Sequence, residues 1–244
     1  MLICDQLTKR YGNQQRNAVD ALTLSIEPGQ IFGFLGPNGA GKSTTIKMIT
    51  GLLKPDSGSL SFMGYSLYSD PVSYKRLIGY VPDEPLFYER MSGYEHLSFI
   101  ADLYGVGREE RKQRIEELGE RLLLKNALKD EISSYSHGMK QKLSIISALL
   151  PSPKLLILDE PMVGLDPKAA FILKTLLVEY AGSGNTVFFS THVLEVAQQL
   201  CSSLGIIKEG TLLYNGTLKD LQLRKQELDA TLEALFLELT ESGE

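Results

Sequence analysis

The chain has 244 residues, enough for one large domain or two small ones with a well-buried core. Apolar residues make up 43% and charged residues 23%, and the formal net charge of -5 argues against a broad basic surface for nucleic acid. The two cysteines, Cys4 and Cys201, lack metal-ligand or redox spacing and are read as free buried thiols of a reducing compartment. No basic-then-apolar signal pattern opens the sequence. The longest apolar-rich run, Leu143 to Pro153, falls short of the ~20 residues that span a bilayer, so no transmembrane segment is expected.

In chain order, Leu2 to Leu7 alternates loosely as a strand, and Val19 to Ile26 alternates more cleanly before a turn at Glu27-Pro28-Gly29. Ile31 to Leu35 is a short apolar run, as expected of a strand buried on both faces. It leads into a glycine-rich loop and a helix predicted over Thr44 to Leu53. Strands are predicted over Ser59 to Tyr65 and Ile78 to Val81. From about Tyr94 to Ser147 the pattern turns helical, and the charges from Arg108 to Glu120 read as a solvated helix face. Leu155 to Leu158 is the next strand, followed by a helix over Lys168 to Tyr180, a strand over Thr186 to Ser190 and a helix over Val193 to Leu200. Gly205 to Lys208 and Thr211 to Tyr214 form a hairpin around Glu209-Gly210. Near the end, Leu228, Leu232, Leu235, Phe236 and Leu239 share one helical face, which is expected to pack on the chain's own core or on a second copy.

Gly36, Pro37, Asn38, Gly39, Ala40, Gly41, Lys42 and Ser43 fit the pattern G-x-x-x-x-G-K-[ST] at every position, after a buried strand and before a helix. Small residues let backbone N–H groups turn toward phosphate oxygens, and the helix start, including Thr44, adds its positive dipole end. Lys42 offers a point charge to the outer phosphates, and the Ser43 hydroxyl can ligate Mg²⁺. The apolar strand ending in Asp159 and Glu160 supplies what a nucleotide site needs opposite such a loop. Asp159 would serve the metal shell, and Glu160 would orient or deprotonate the attacking water. These residues imply ATP with Mg²⁺.

With these motifs the chain resembles the ATP-binding subunits of ABC transporters. Tyr11, in KRYG, matches the aromatic that stacks on adenine. Gly36 to Ser43 matches Walker A and Leu155 to Glu160 matches Walker B. Tyr135 to Ser144 matches the signature segment, Gly164, Leu165 and Asp166 belong to the D-loop match GLDP, and His192 in STH matches the switch histidine. The resemblance implies an α/β fold: a P-loop NTPase core with an N-terminal antiparallel β subdomain and a helical subdomain inserted at about 85–145. The ATPase domain would cover 1–218, with a helical tail over 219–244. It further implies a head-to-tail pair of ATP-binding subunits, in which Ser136, His137, Gly138 and Met139 of one chain meet the nucleotide held by the other. A separate permease would then place the chain at the cytoplasmic face of a membrane. VPDEPLFYERMSGYEHL and the tail further resemble bacterial subunits paired with ABC-2-type permeases, often exporters.

Two departures stand out. Asp83 occupies the position where the family carries glutamine, so it is expected either to contact the metal or to serve only the loop that couples to the membrane subunit. In the signature, Tyr135, His137 and Met139 replace the usual residues. His137 is expected to point to solvent, the alternative being a pH-sensitive charge beside a partner's γ-phosphate. His96 has no motif around it and is read as structural. Rival readings are a soluble ATPase of the same fold in assembly or nucleic-acid work, and a regulatory nucleotide-binding module without turnover.

Overall fold

The computed structural model describes residues 1–12, 15–225 and 230–241. Two sheets share a core. Strands β1 (Leu2–Lys9), β2 (Val19–Ile26), β4 (Ser57–Phe62) and β5 (Tyr65–Ser66) form an antiparallel sheet in the order β2-β1-β4-β5. The second sheet contains β3 (Ile31–Leu35), β6 (Ile78–Val81), β7 (Leu155–Asp159), β8 (Thr186–Thr191), β9 (Ser203–Lys208) and β10 (Thr211–Gly216), in the order β10-β9-β3-β8-β7-β6. All its pairings are parallel except β9 with β10, a hairpin turning at Glu209-Gly210.

The apolar runs are explained by burial on both faces. Leu155 and Ile157 of β7 and Phe188 of β8 join Phe32 and Phe34 in the core shared with the antiparallel sheet. The alternate residues Leu156, Leu158, Val187 and Phe189 face a second core beneath the helices. Phe188 stacks on Phe32 at a centroid distance of 5.6 Å and meets Phe34 tilted at 5.4 Å.

Helix α1 (Lys42–Ile49) starts two residues before its predicted position and stops earlier, because Thr50 and Gly51 close it. The strand predicted over Ser59 to Tyr65 is interrupted at Met63 and Gly64, both at positive φ, so the chain turns back there as a hairpin. A short helix that periodicity passes over, α2 (Pro71–Arg76), is capped by the Asp70 carboxylate accepting from the Ser73 N–H, with Pro71 at its first position.

Between β6 and β7 lie α3 (Gly93–Tyr104), α4 (Arg108–Arg121), two single 3₁₀ turns and α5 (His137–Leu149). Ser92 and Glu95 form a reciprocal capping box that fixes where α3 begins. On α4 only Ile115 and Gly119 are buried, in keeping with a solvated charged face. Helices α6 (Pro167–Gly182) and α7 (Leu194–Leu200) follow β7 and β8. At the end, α8 (Leu218–Lys225) and α9 (Leu232–Glu241) pack with α7 and β9 around Leu232 and Leu235, with Phe236 and Leu239 against them. The tail's stripe thus covers the chain's own core; Leu228 lies outside the described residues. Cys4 is buried and Cys201 half-buried, and burial pushes both thiols up to about 12. Among the described residues no helix is long and apolar enough to cross a membrane.

Candidate active site

Adjacent strands bring the chemistry together. In the parallel block β3-β8-β7-β6, each strand's carboxyl end carries one part: the glycine loop after β3, His192 after β8, Asp159 and Glu160 at β7, and Asp83 after β6. Ligands of open parallel sheets bind at such an edge, where side chains from neighbouring strands converge.

The loop's glycines meet different demands. Gly41, the residue before α1, has φ +110°, and a Cβ there would stand 2.5 Å from the Ala18 carbonyl oxygen. Gly36 is pressed against the Ile207 carbonyl, leaving no room for a side chain. The loop is braced by the Ala40 N–H donating to Pro37 O at 3.2 Å and the Gly210 N–H donating to Ala40 O at 2.9 Å. Lys42 is buried, and its ammonium donates to the carbonyls of Gly36 at 2.7 Å and Pro37 at 3.3 Å. Burial pushes the Lys42 pKa down, while Glu160 and Asp159 oppose that shift. Pro37, Asn38, Gly39 and Ser43 are exposed on the loop's open side.

A cleft of about 240 Å³ lies between this loop and the carboxylates of Asp83, Asp159 and Glu160, with Ser43 and Thr44 in its wall. Asp159 is buried and accepts from the Ser190 hydroxyl. Ser190 also holds the Glu160 N–H, through its hydroxyl at 3.2 Å and its carbonyl at 3.3 Å. Glu160 has a φ of +47°, a conformation rare for a residue with a side chain and characteristic of constrained functional positions. Its Oε1 lies 2.9 Å from His192 Nδ1. Asp83 sits at the cleft's lip, where partial burial and then Asp159, Glu160 and Glu84 raise its pKa, while His137 lowers it. Among the described residues no three acidic, histidine or cysteine side chains are close enough to hold a metal by themselves. The Asp159 carboxylate and the Ser43 hydroxyl in the cleft wall are hard oxygen donors of the kind Mg²⁺ takes when phosphate oxygens and water complete its shell. Tyr11 is exposed near the start of α1, its hydroxyl 3.4 Å from Thr44 Oγ1.

The signature residues lie elsewhere, against the loop after β7. Ser136 caps α5, its hydroxyl accepting from the Met139 N–H at 3.3 Å. Gly138 packs on the Gly164 carbonyl, which a Cβ would approach to 2.8 Å. His137 is exposed, as the solvent-pointing reading expects, yet its ring is also seated on Gly164, whose φ of +77° and missing side chain make the space. Met139 is half-buried against the helical core, with its side chain among apolar neighbours. Asp166 caps α6 by accepting from the Ala169 N–H at 2.9 Å, and that bond holds its carboxyl below the usual range. Leu165 packs inward, and Lys142 Nζ is 3.8 Å from Asp166 Oδ2. Sequence reasoning placed Ser190 only as the first residue of the STH match. It missed that Ser190 holds both the Asp159 carboxylate and the Glu160 backbone, a contact across strands that no local pattern marks.

Fold and site together define a P-loop ATPase. The ABC transporter family profile matches residues 19–163, and the chain belongs to that family. It is 39% identical over 230 residues to the ABC-type transporter ATP-binding protein EcsA of Bacillus subtilis, covering 94% of this chain and 93% of that one. It is 41% identical over 208 residues to the bacitracin transport ATP-binding protein BcrA of Bacillus licheniformis, covering 85% and 66%. A solved ATP-binding subunit of an ABC transporter superposes with a TM-score of 0.93 at 36% identity, covering 98% of this chain and 99% of that one. A dimeric ATP-binding cassette in a post-hydrolysis state with ADP and Pi bound superposes at 0.80 and 25% identity, covering 89% and 99%. The protein is an ATP-hydrolysing subunit that powers transport across a membrane.

Proposed function

We propose that this chain binds Mg·ATP through Gly36 to Thr44, with Tyr11 against the base, and hydrolyses it within a head-to-tail pair of ATP-binding subunits. The carrying observation is the convergence of the phosphate loop, Asp159, Glu160, His192 and Asp83 at the ends of four neighbouring parallel strands. Ser43, Asp159 and Asp83 would hold Mg²⁺, whose charge neutralises the phosphate oxygens. Glu160 takes the proton of the attacking water as its oxygen bonds to the γ-phosphorus and the bond to the β–γ bridging oxygen breaks. His192, in contact with Glu160, keeps that carboxylate in place and faces the γ-phosphate. Ser136, His137, Gly138 and Met139 would present the N-terminus of α5 to the nucleotide of the other subunit, an anion site in which the Ser136 hydroxyl and unhindered N–H groups contribute. Met139 contributes its backbone there, since its side chain packs inward.

We read the ATPase domain as 1–218, the helical subdomain as about 85–145 and the tail as 219–244, of which the described helices α8 and α9 pack on the domain. A separate permease would hold the chain at the cytoplasmic face. Its docking place is the groove of about 350 Å³ that starts at Pro82 and Pro85, beside Asp83, and is lined by Ile78, His96 and Ala148. Leu86, 93% exposed, together with the exposed Leu52 and Tyr104 in the same lining, offers such a partner an apolar surface. The solved CbiO1 of Clostridium perfringens, part of the transporter complex cbiONQ, supports such an assembly (29% identity, TM-score 0.77, covering 93% and 92%). Affinity purification of Glu160→Gln from native membranes with Mg·ATP tests it. A multi-span membrane protein and a second ATP-binding chain, identical or not, should co-purify. Recovery from the soluble fraction alone, or with nucleic acid, would contradict the proposal.

A further inference from the structure

Gln141 lies in the middle of α5 at 1% exposure, and neither its Oε1 nor its Nε2 has a hydrogen-bond partner among the described residues. A buried amide with both ends unpaired is costly, because water has been removed and nothing replaces it. Helical spacing aligns His137, Gln141, Ser144 and Ala148 on one face of α5. The outer members of that row locate it. His137 acts electrostatically on Asp83, and Ser144 and Ala148 line the groove together with Pro82 and Pro85. On that face Gln141 sits one turn along from His137, between it and the residues that line the groove.

That segment is itself unpaired. The N–H groups of Asp83, Glu84, Leu86 and Phe87 donate to no acceptor among the described residues. Pro82 and Pro85 stiffen it and can donate nothing. On its other side the buried His96 presents the edge-to-face partner of Phe87 at 4.9 Å, and its Nδ1 is also without a partner. Among the described residues the exposed backbone at Asp83, Glu84 and Leu86 thus has no protein partner, and two buried side chains on the neighbouring helices α5 and α3 have none either. A primary amide carries one acceptor and two donors, the complement of a peptide unit.

We infer that Gln141 is a positioning residue for ATP hydrolysis: its amide pairs with the backbone of the Asp83–Leu86 segment when Asp83 is drawn toward the nucleotide. The amide holds Asp83 at the cleft, and the groove's rim moves with it because both belong to the same proline-stiffened segment. The inference rests on the reading of Asp83 as part of the nucleotide site.

Hydrogen–deuterium exchange on the Glu160→Gln protein, with Gln141 kept or replaced in Gln141→Met, tests it with and without Mg·ATP. Slowed exchange over residues 38–44 reports nucleotide binding independently. Without nucleotide, the amides of 83–87 should exchange freely in both proteins. With nucleotide they should slow by roughly tenfold or more when Gln141 is present and stay fast in Gln141→Met. Equal slowing in both proteins, or none in the Gln141 protein while 38–44 is protected, overturns the inference. Failure of protection at 38–44 instead sinks the nucleotide reading beneath it. Melting without nucleotide is the second readout, because methionine removes an unpaired amide at little change of shape. An unchanged or higher Tm supports the inference, and a lower one shows that Gln141 is already paired and overturns it.

Discussion

Glu160 Oε1 and His192 Nδ1 stand 2.9 Å apart across the neighbouring strands β7 and β8. The Glu160 side chain is 13% exposed and the His192 side chain 57%. The carboxylate is thus held from within, by Ser190 at its backbone, and from without by the imidazole. His192→Ala should lower kcat on the order of 10- to 100-fold, less than loss of the base itself, with little change in KM for ATP. Steady-state ATPase assays separate the two constants. A rise in KM at constant kcat would assign His192 to binding alone.

The contact between His137 and Gly164 makes a second prediction. Gly164→Ala places a methyl group inside the space the His137 ring occupies and forces an L-residue to φ +77°. Stability should fall by about 1–3 kcal/mol, part of it recovered when His137→Ala is added. Urea unfolding of the four proteins in the cycle measures the coupling. Additive losses would mean that the ring moves aside freely.

A third prediction concerns the antiparallel sheet. Asp56 accepts from Lys9 Nζ and from the Arg10 N–H, each at 2.8 Å, tying the end of β1 to the entry of β4. The Lys9 bond foremost holds the Asp56 carboxyl below its usual range. A carboxylate with a depressed folded pKa stabilises the fold above its unfolded pKa of roughly 3.9, and that contribution disappears as pH falls through the lower folded value. Asp56→Asn should therefore be less stable than the parent at pH 6, and the gap should narrow as pH drops below 4. Denaturant midpoints across that range check it; a constant gap would refute the assignment.

A fourth follows from Lys42, which donates to Gly36 and Pro37 across its own loop. Lys42→Ala should abolish measurable ATP binding in calorimetry while leaving the melting temperature close to the parent's. Unchanged affinity would remove Lys42 from the phosphate site.

Much of this was readable in advance, for physical reasons. The apolar runs Ile31 to Leu35 and Leu155 to Leu158 are continuous because both faces are buried, and the structure extends the second by Asp159. The glycine loop is local, so its residues predict its shape. What escaped was long-range or masked by short length. Helix α2 is a single capped turn and a half, too short for periodicity, although Asp70-Pro71 carried its start signal. The seat of His137 on Gly164 joins residues far apart in sequence, and nothing in YSHGMK predicts it. The inward packing of Met139 follows from α5 lying on a core that only the tertiary fold creates. Ser190 belongs to a buried strand, and its role depends on β8 lying beside β7.

The central claim is that Glu160 is the base of an ATP-hydrolysing site built on the loop from Gly36 to Ser43. Its most direct test is to measure Mg·ATP turnover and ATP affinity of Glu160→Gln beside the parent protein. Turnover should fall by roughly 100-fold or more with affinity retained. A Gln variant that hydrolyses ATP at a rate near the parent's would contradict the account.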